Sequence, residues 1–394
     1  MAAKRQPFSA DEFQRRLKLV RRQMDVKGID VLFVEDPSNM AWISGYDGWS
    51  FYVHQGLVIP ADADPIWWGR QQDAAGARRT VWLPDDRIRP YGEHYIQTVE
   101  RHPMQDLAHL LEDMGYAGKR IGVELENYYF TAKAYLTLQE ELPNATFEDA
   151  TGLVNWQRAV KSDAELSLMR KAARITDKVM RGVFERAVPG LRKTDLVAEI
   201  YADAIRGVGD AWGDYPAIVP LLPSGGDASA PHLTWDGRCL EKGEATFFEV
   251  SGCVRRYHAP LCRTVFLGAP PKHFLEAEKA LLEGLEAGLD AGRAGNTASD
   301  IFRALVKSLN KAGIGRTARC GYPVGLSYPP DWGERTISLR ADDTTVLKPG
   351  MTFHFMPGLW MDDWGLEITE TILIKDAGPA ECLCDVPRDI LIKP

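Results

Sequence analysis

Ser9 with Glu12 and Ser162 with Glu165 each spell a capping box, in which a hydroxyl and a carboxylate three residues apart satisfy the free N–H groups that open a helix. Behind the first, Phe13, Leu17, Val20 and Met24 recur at helical spacing until Gly28 stops the run. Behind the second, Leu166, Met169, Ile175, Val179 and Val183 do the same up to Pro189-Gly190. The chain thus starts a long amphipathic helix twice, and the two helices lead into different kinds of sequence. After the first come IDVLFV at 29–34, a buried strand, then strand candidates GLVIPAD, PIWWG and RIGVEL alternating with helical stretches near 103–115 and 132–142, the pattern of a self-contained α/β domain. After the second come a helix from Thr194, a strand-rich stretch at 245–268, helices near 272–292 and 297–312, and strand-and-loop sequence to 375. That recurrence of helix, helix, strands predicts two similar halves folded around one sheet. At 394 residues and 45% hydrophobic content the chain is long enough for two cores. The expected domains are 1–157, α/β, and 158–394, α+β.

A net charge of −8 repels polyanions, and no Lys and Arg run overcomes it, so nucleic acid is excluded as an expected partner. The start MAAKRQPFSADEF has no apolar h-region and nowhere do about 20 apolar residues run uninterrupted, so neither a membrane span nor export is expected and the location is cytoplasmic by default. The six cysteines all lie in the second half; only Cys382 and Cys384 are close, as C-L-C, and no second pair or His cluster completes a zinc pattern. They read as reduced thiols, and no metal or other cofactor is assigned.

The second domain concentrates polar and aromatic residues at strand positions: Pro231-His232, FFEVSGCVRRYHAPLCRTVFLG at 247–268, CGYPVGLSYPPDWGE at 320–334, LKPGMTFHFMPGLW at 347–360 and WGLEITETILI at 364–374. Side chains two apart in a strand share a face. In G-L-E-I-T-E, Glu367 and Thr369 therefore share one face, and Leu366, Ile368 and Glu370 the other. A carboxylate inside such an apolar strand must face a polar cleft or a cation, and Glu249, between Phe248 and Val250, raises the same question. Either acid would serve equally as half of a buried ion pair with Arg255, Arg256 or Arg263. A His after Pro in a loop is more often structural than catalytic, so His232 draws its weight from convergence with these acids.

These segments resemble, in order, the motifs of the superfamily that includes methionine aminopeptidase, prolidase and creatinase. The resemblance implies a creatinase-like α/β amino-terminal domain and an α+β pita-bread catalytic domain. Metal-dependent members hold two metals with two aspartates, a histidine and two glutamates. Aligned on Arg263-Thr264, on Pro349-Gly350-Met351 and on the Thr-Ile-Leu after Glu370, those positions fall here on Glu249, Pro260, Tyr322, Met356 and Thr369. Proline, methionine and threonine supply no dinuclear ligand set, so metal dependence is expected to be lost. His232 keeps the place of the family histidine that faces substrate and handles protons, on which metal-free creatinase relies. Creatinase carries a glutamate where this chain has Cys262, so creatine is not the expected substrate.

A closer resemblance, to the ectoine hydrolases of bacterial ectoine degradation, is carried by SGYDGWSFYVHQ at 44–55, GDYPAIVPLLP at 213–223, SAPHLTWD at 229–236, RYHAP at 256–260, CGYPVGLSYPPDWGERT at 320–336 and GMTFHFMPGLW with DWGLEITE. It implies opening of a cyclic amidine to an N-acetylated 2,4-diaminobutyrate, with hydroxyectoine a further candidate. A delocalised amidinium would be repelled by a bound metal, so carboxylates in place of the metals are the expected electrostatic change. On this reading His232, whose ordinary pKa of ~6.5 suits both proton steps, is general acid/base. Glu249 binds the amidinium, orients water or attacks, and Glu367 is the second amidinium partner. Tyr322 hydrogen-bonds the tetrahedral intermediate, His258 shares its strand face with Pro260, and Met356 and Trp360 line the pocket. The family architecture implies a homodimer, with Trp49, Tyr52 and His54 as candidates for a lid from the partner, local packing being the competing account. Competing activities are a creatinase-like amidinohydrolase or lyase of another small zwitterion, a non-catalytic binding member of the fold, and a metal-dependent Xaa-Pro peptidase, which Pro260, Met356 and Thr369 disfavour.

Overall fold

In the computed structural model, which describes residues 5–394, the Ser9 side chain accepts the Glu12 N–H at the head of α1 (Ala10–Lys27), and Gly28 ends that helix at φ 66°, a left-handed conformation that glycine adopts without strain. The first unit, Met1–Arg158, continues as β1 (Val31–Val34), α2 (Pro37–Ser44), β2 (Gly56–Pro60), β3 (Ile66–Arg70), α3 (Ala74–Thr80), β4 (Ile88–Tyr91), α4 (Pro103–Asp113), β5 (Arg120–Val123), α5 (Ala132–Glu141), β6 (Thr146–Asp149) and α6 (Leu153–Arg158). Its strands form one sheet in the order β4-β3-β2-β1-β5-β6, antiparallel across β1–β2 and β2–β3 and parallel elsewhere. Val31, Phe33, Val58 and Trp68 of that sheet pack with Leu107 and Leu111 of α4 and Leu138 of α5, so the α/β reading holds.

The second unit, Ala159–Pro394, opens on α7 (Asp163–Arg186), whose head is the complete Ser162/Glu165 capping box, followed by α8 (Lys193–Arg206). Then come β7 (Ala245–Val254), β8 (Tyr257–Leu267), α9 (Lys272–Ala291) and α10 (Ala298–Lys311). Seven shorter strands complete it: β9 (Gly321–Pro323), β10 (Thr352–Phe355), β11 (Gly358–Trp360), β12 (Gly365–Glu367), β13 (Glu370–Leu373), β14 (Glu381–Cys382) and β15 (Leu391–Lys393). Each helix pair has its own apolar core. Val179 and Val183 of α7 meet Leu196 and Ile200 of α8, Phe248 of β7 and Leu261 of β8; Leu281 and Leu285 of α9 meet Ile301 and Leu305 of α10, Phe353 of β10 and Ile372 of β13.

The two halves are present, but the expected single sheet is not. The strands fall into β15-β8-β7, β14-β13-β10-β9 and β11-β12. The seam between β8 and residues 367–371 is made by threonine hydroxyls around a single backbone bond, from the Thr369 N–H to the Cys262 carbonyl (3.1 Å), and not by a continuous strand ladder. Thr264 Oγ1 donates to the Glu367 carbonyl (2.9 Å) and accepts the Glu367 N–H (3.1 Å). Thr369 Oγ1 accepts the Cys262 N–H (2.7 Å), and Thr371 Oγ1 donates to the carbonyl of Pro260 (2.7 Å), a residue with no N–H of its own to extend a ladder.

Candidate active site

β7 and β8 are buried at every position and pair antiparallel with Glu249 directly opposite Cys262. The Thr264 and Thr369 clamps bring Glu367, at the end of β12, onto the same spot, while Leu366 and Ile368 turn into the α9/α10 core. The strand is interrupted between Glu367 and Glu370, yet Glu367 and Thr369 both reach Cys262, as their parity predicts.

Among the described residues no arginine forms an ion pair with either acid. Arg255 and Arg256 form the two-residue β7–β8 turn with positive φ (51° and 67°), and their guanidinium groups lie over Trp212 (5.0 Å) and Tyr215 (3.7 Å). Arg263 is buried and spent on Glu370 Oε1 (2.6 Å) and on the carbonyls of Cys262, Thr369, Val386 and Pro387. Arg388 adds a second bond to Glu370 (3.0 Å). The ion-pair alternative therefore belongs to Glu370, leaving Glu249 and Glu367 unpaired.

Burial sets their protonation. Glu367 is fully buried and neither carboxylate oxygen meets a hydrogen bond of ordinary geometry among the described residues. Desolvation pushes its carboxyl up to about 7, against the partial pull of the Cys262 thiol beside it and of Arg316. Burial, and then the charge of Glu367, hold Glu249 well above the ordinary carboxylate range. The Cys262 thiol is raised by burial and by both acids, which keeps it a neutral spacer.

Around the acids stand aromatic groups and one network. Trp332 Nε1 donates to Tyr322 Oη (2.9 Å), His354 Nδ1 lies 3.3 Å from that oxygen, and His354 Nε2 lies 2.7 Å from Thr369 Oγ1. His354 is fully buried, and burial lowers its pKa to about 3, so its ring is neutral. Trp360 packs on Ala228, Phe247 and Cys262, and its buried Nε1 has no partner among the described residues. A Cβ on Gly358 would stand 2.8 Å from the Trp360 ring and 3.3 Å from Glu367 Cγ, so this glycine is what lets the indole lie beside the acid. Arg316 braces the wall from behind, donating to the carbonyls of Met356 (3.2 Å), Gly358 and Arg319 (2.9 Å), with its cation over Trp360 (5.4 Å). Met356 is half-buried in that wall.

Other expected site residues land elsewhere. His232 is exposed, on the loop that leaves β7's neighbour at Leu221, bridged to Glu249, and returns where Leu222 N–H meets the Thr234 carbonyl (2.9 Å). That ties its loop to the strand edge carrying Glu249. His258 is fully buried and its Nε2 accepts the Ala217 N–H (2.9 Å); burial lowers its pKa to about 4. Its Nε2 thus braces a loop, while its buried Nδ1 meets no hydrogen bond among the described residues. His54 is held at 2.6 Å from Glu35 Oε1 within the first unit, whereas Trp49 and Tyr52 are 58% and 65% exposed. Reading from sequence passed over His354, although a polar residue between Phe353 and Phe355 carries the same signal that singled out Glu249.

The sequence matches the model of Metallopeptidase family M24 over residues 167–376 and that of the Creatinase/Prolidase N-terminal domain over 16–160. The chain belongs to family M24. Its family members include an ectoine hydrolase of Halomonas elongata, 54% identical over 394 residues and 98% of each chain, and an uncharacterized hydrolase/peptidase of Sinorhizobium fredii, 40% identical over 98% of each. A prolidase structure from Thermococcus sibiricus superposes with TM-score 0.84 at 17% identity, covering 98% of this chain and 100% of that one, which shows the pita-bread fold. The metal centre that the family name implies does not fit these residues. On the motif alignment given above its five positions fall on Glu249, Pro260, Tyr322, Met356 and Thr369, and among the described residues no three His, Cys, Asp or Glu side chains gather as a ligand set.

Proposed function

We propose that this M24 member hydrolyses ectoine to an N-acetylated 2,4-diaminobutyrate without a metal. The observation that carries the reading is the pair of buried carboxylates, Glu249 and Glu367, that among the described residues form no ion pair, Arg316 acting on Glu367 only as a charge in the wall behind it. Such a pair lacks one thing, a delocalised positive charge that hydrogen-bonds to both, and an amidinium supplies it. The identity to the Halomonas enzyme supports the same substrate.

In the reaction, the oxygen of water ends bonded to the methyl-bearing ring carbon, one C–N bond breaks, and the departing nitrogen takes a proton. Glu367 anchors the amidinium, whose charge draws off the proton that burial holds on the two neighbouring acids. Glu249 acts on the nucleophile's side, by orienting water or by attacking, and His232, swinging from its loop, moves the protons. Trp360 Nε1, buried and unpartnered, is the donor for the substrate carboxylate. The enzyme works as a homodimer in the cytoplasm, with the exposed Trp49 and Tyr52 offered to the second copy; among the described residues no helix is long and apolar enough to cross a membrane.

The deciding experiment follows ring opening by NMR with metal-stripped protein, beside His232→Ala. Turnover by the stripped wild type and none by the variant supports the proposal. Activity that returns only with added metal overturns its metal-free mechanism, and inertness under both conditions overturns the substrate.

A further inference from the structure

The polar contacts behind the two acids form a chain whose proton directions can be worked out from one end. Thr369 Oγ1 accepts the Cys262 N–H at 2.7 Å, and its other polar neighbour is His354 Nε2, also at 2.7 Å. Thr369 is fully buried. A buried hydroxyl left without an acceptor is unfavourable, so its proton goes to His354 Nε2. Nε2 is then an acceptor. No carboxylate faces the sealed His354 ring, which is neutral, so its one N–H sits on Nδ1 and donates to Tyr322 Oη at 3.3 Å. Tyr322 Oη already accepts from Trp332 Nε1 at 2.9 Å. With both acceptor directions taken, the phenol's own proton is left over.

We infer that Thr369 and His354 are positioning residues that, with Trp332, fill the acceptor directions of the Tyr322 hydroxyl, so that Tyr322 can serve the reacting substrate only as a donor. The opposite arrangement, with the proton on His354 Nε2, would strand the Thr369 hydroxyl and spend the Tyr322 proton on the imidazole. Burial, and the charges of Glu249, Asp331 and Glu367, also hold the phenol well above its ordinary pKa, so it keeps that proton. Its role in stabilising the substrate atom that gains electrons rests on the ectoine-hydrolase reading, and the direction of the proton does not. At a position where the aligned family carries a metal-binding histidine, the chain has thus placed a neutral O–H whose acceptor directions are filled.

The test uses the full-length protein with 15N-labelled histidine, and long-range 1H–15N correlation to find which His354 nitrogen is protonated. The expected result is Nδ1–H with a bare Nε2; a proton on Nε2 in the wild type overturns the inference without any variant having to fold. Kinetically, Tyr322→Phe is expected to lower kcat by roughly a hundredfold, the scale for loss of one oxyanion donor, with KM little changed. Thr369→Val should populate the Nε2–H form and lower kcat severalfold at nearly constant KM, and Thr369→Ser should recover most of both. A Tyr322→Phe enzyme with wild-type kcat overturns the donor role. If wild-type protein fails to open ectoine, the substrate reading falls while the tautomer still decides the positioning chain.

Discussion

Glu367 carries a conformational penalty that can be removed and measured. Its carboxyl is displaced from 4.5 to about 7, chiefly by burial, and one unit corresponds to about 1.4 kcal/mol. The displacement therefore amounts to roughly 3 kcal/mol of lost stability at alkaline pH. The sign depends on which state holds the proton. Below pH 4.5 both states are protonated and nothing is lost; between 4.5 and about 7 the unfolded chain ionises while the folded one resists; above about 7 the full penalty applies. Glu367→Gln is thus expected to unfold at higher temperature than wild type at pH 8, by roughly 6–12 °C for a unit of this size, with the gap closing toward pH 4. Loss of the Glu367 charge also relieves Glu249, which adds in the same direction. The assay is thermal unfolding of both full-length proteins without ligand from pH 4 to 8.5, following the transition of the second unit, with ectoine turnover as the companion readout. A variant no more stable at pH 8, or one whose gain does not vary with pH, would refute the reasoning that Glu367 is an unpaired buried acid.

Binding of a cation should draw protons off the two acids, so titration of ectoine into the turnover-impaired His232→Ala protein near pH 7 is expected to release protons, seen as a heat that varies with buffer ionisation enthalpy; a buffer-independent heat contradicts it. Gly358→Ala puts a methyl into the Trp360 ring and Glu367 stem, and is expected to cost about 1–3 kcal/mol and raise KM for ectoine with secondary structure unchanged by circular dichroism. Arg263→Ala removes the bonds to four carbonyls and half of Glu370's pairing, and should destabilise the second unit by about 3–5 kcal/mol in urea unfolding, a loss well above that for the exposed Lys272.

The long helices were legible because capping boxes and 3.6-residue periodicity are local: α1, α7, α9 and α10 begin where Ser9, Ser162 and the apolar spacing place them. So was the oddity of Glu249 and Glu367, since a charge in an apolar strand is conspicuous without coordinates. The short strands after Gly321 were less so. Runs of three or four residues such as Gly358–Trp360 and Gly365–Glu367 carry too little periodicity to assign to a sheet, and the division into three sheets depends on hydroxyl seams between distant residues.

From sequence alone came the two-domain α/β plus α+β organisation, the expectation that the family's metal-ligand types are lost, and the suspicion that two carboxylates face a cleft, because each depends on residue identity and local spacing. The tertiary structure decided which arginine each acid meets. It gave Arg263 to Glu370, sent Arg255 and Arg256 to aromatic rings, set His258 Nε2 against the Ala217 N–H, tied His54 to Glu35, and joined Trp332, Tyr322, His354 and Thr369 into one chain of contacts. The reason is physical: burial and hydrogen-bond partnership are set by segments more than a hundred residues apart meeting across a seam, as Cys262 does with Thr369, and no local pattern encodes which of several chemically suitable partners will be close enough to bond.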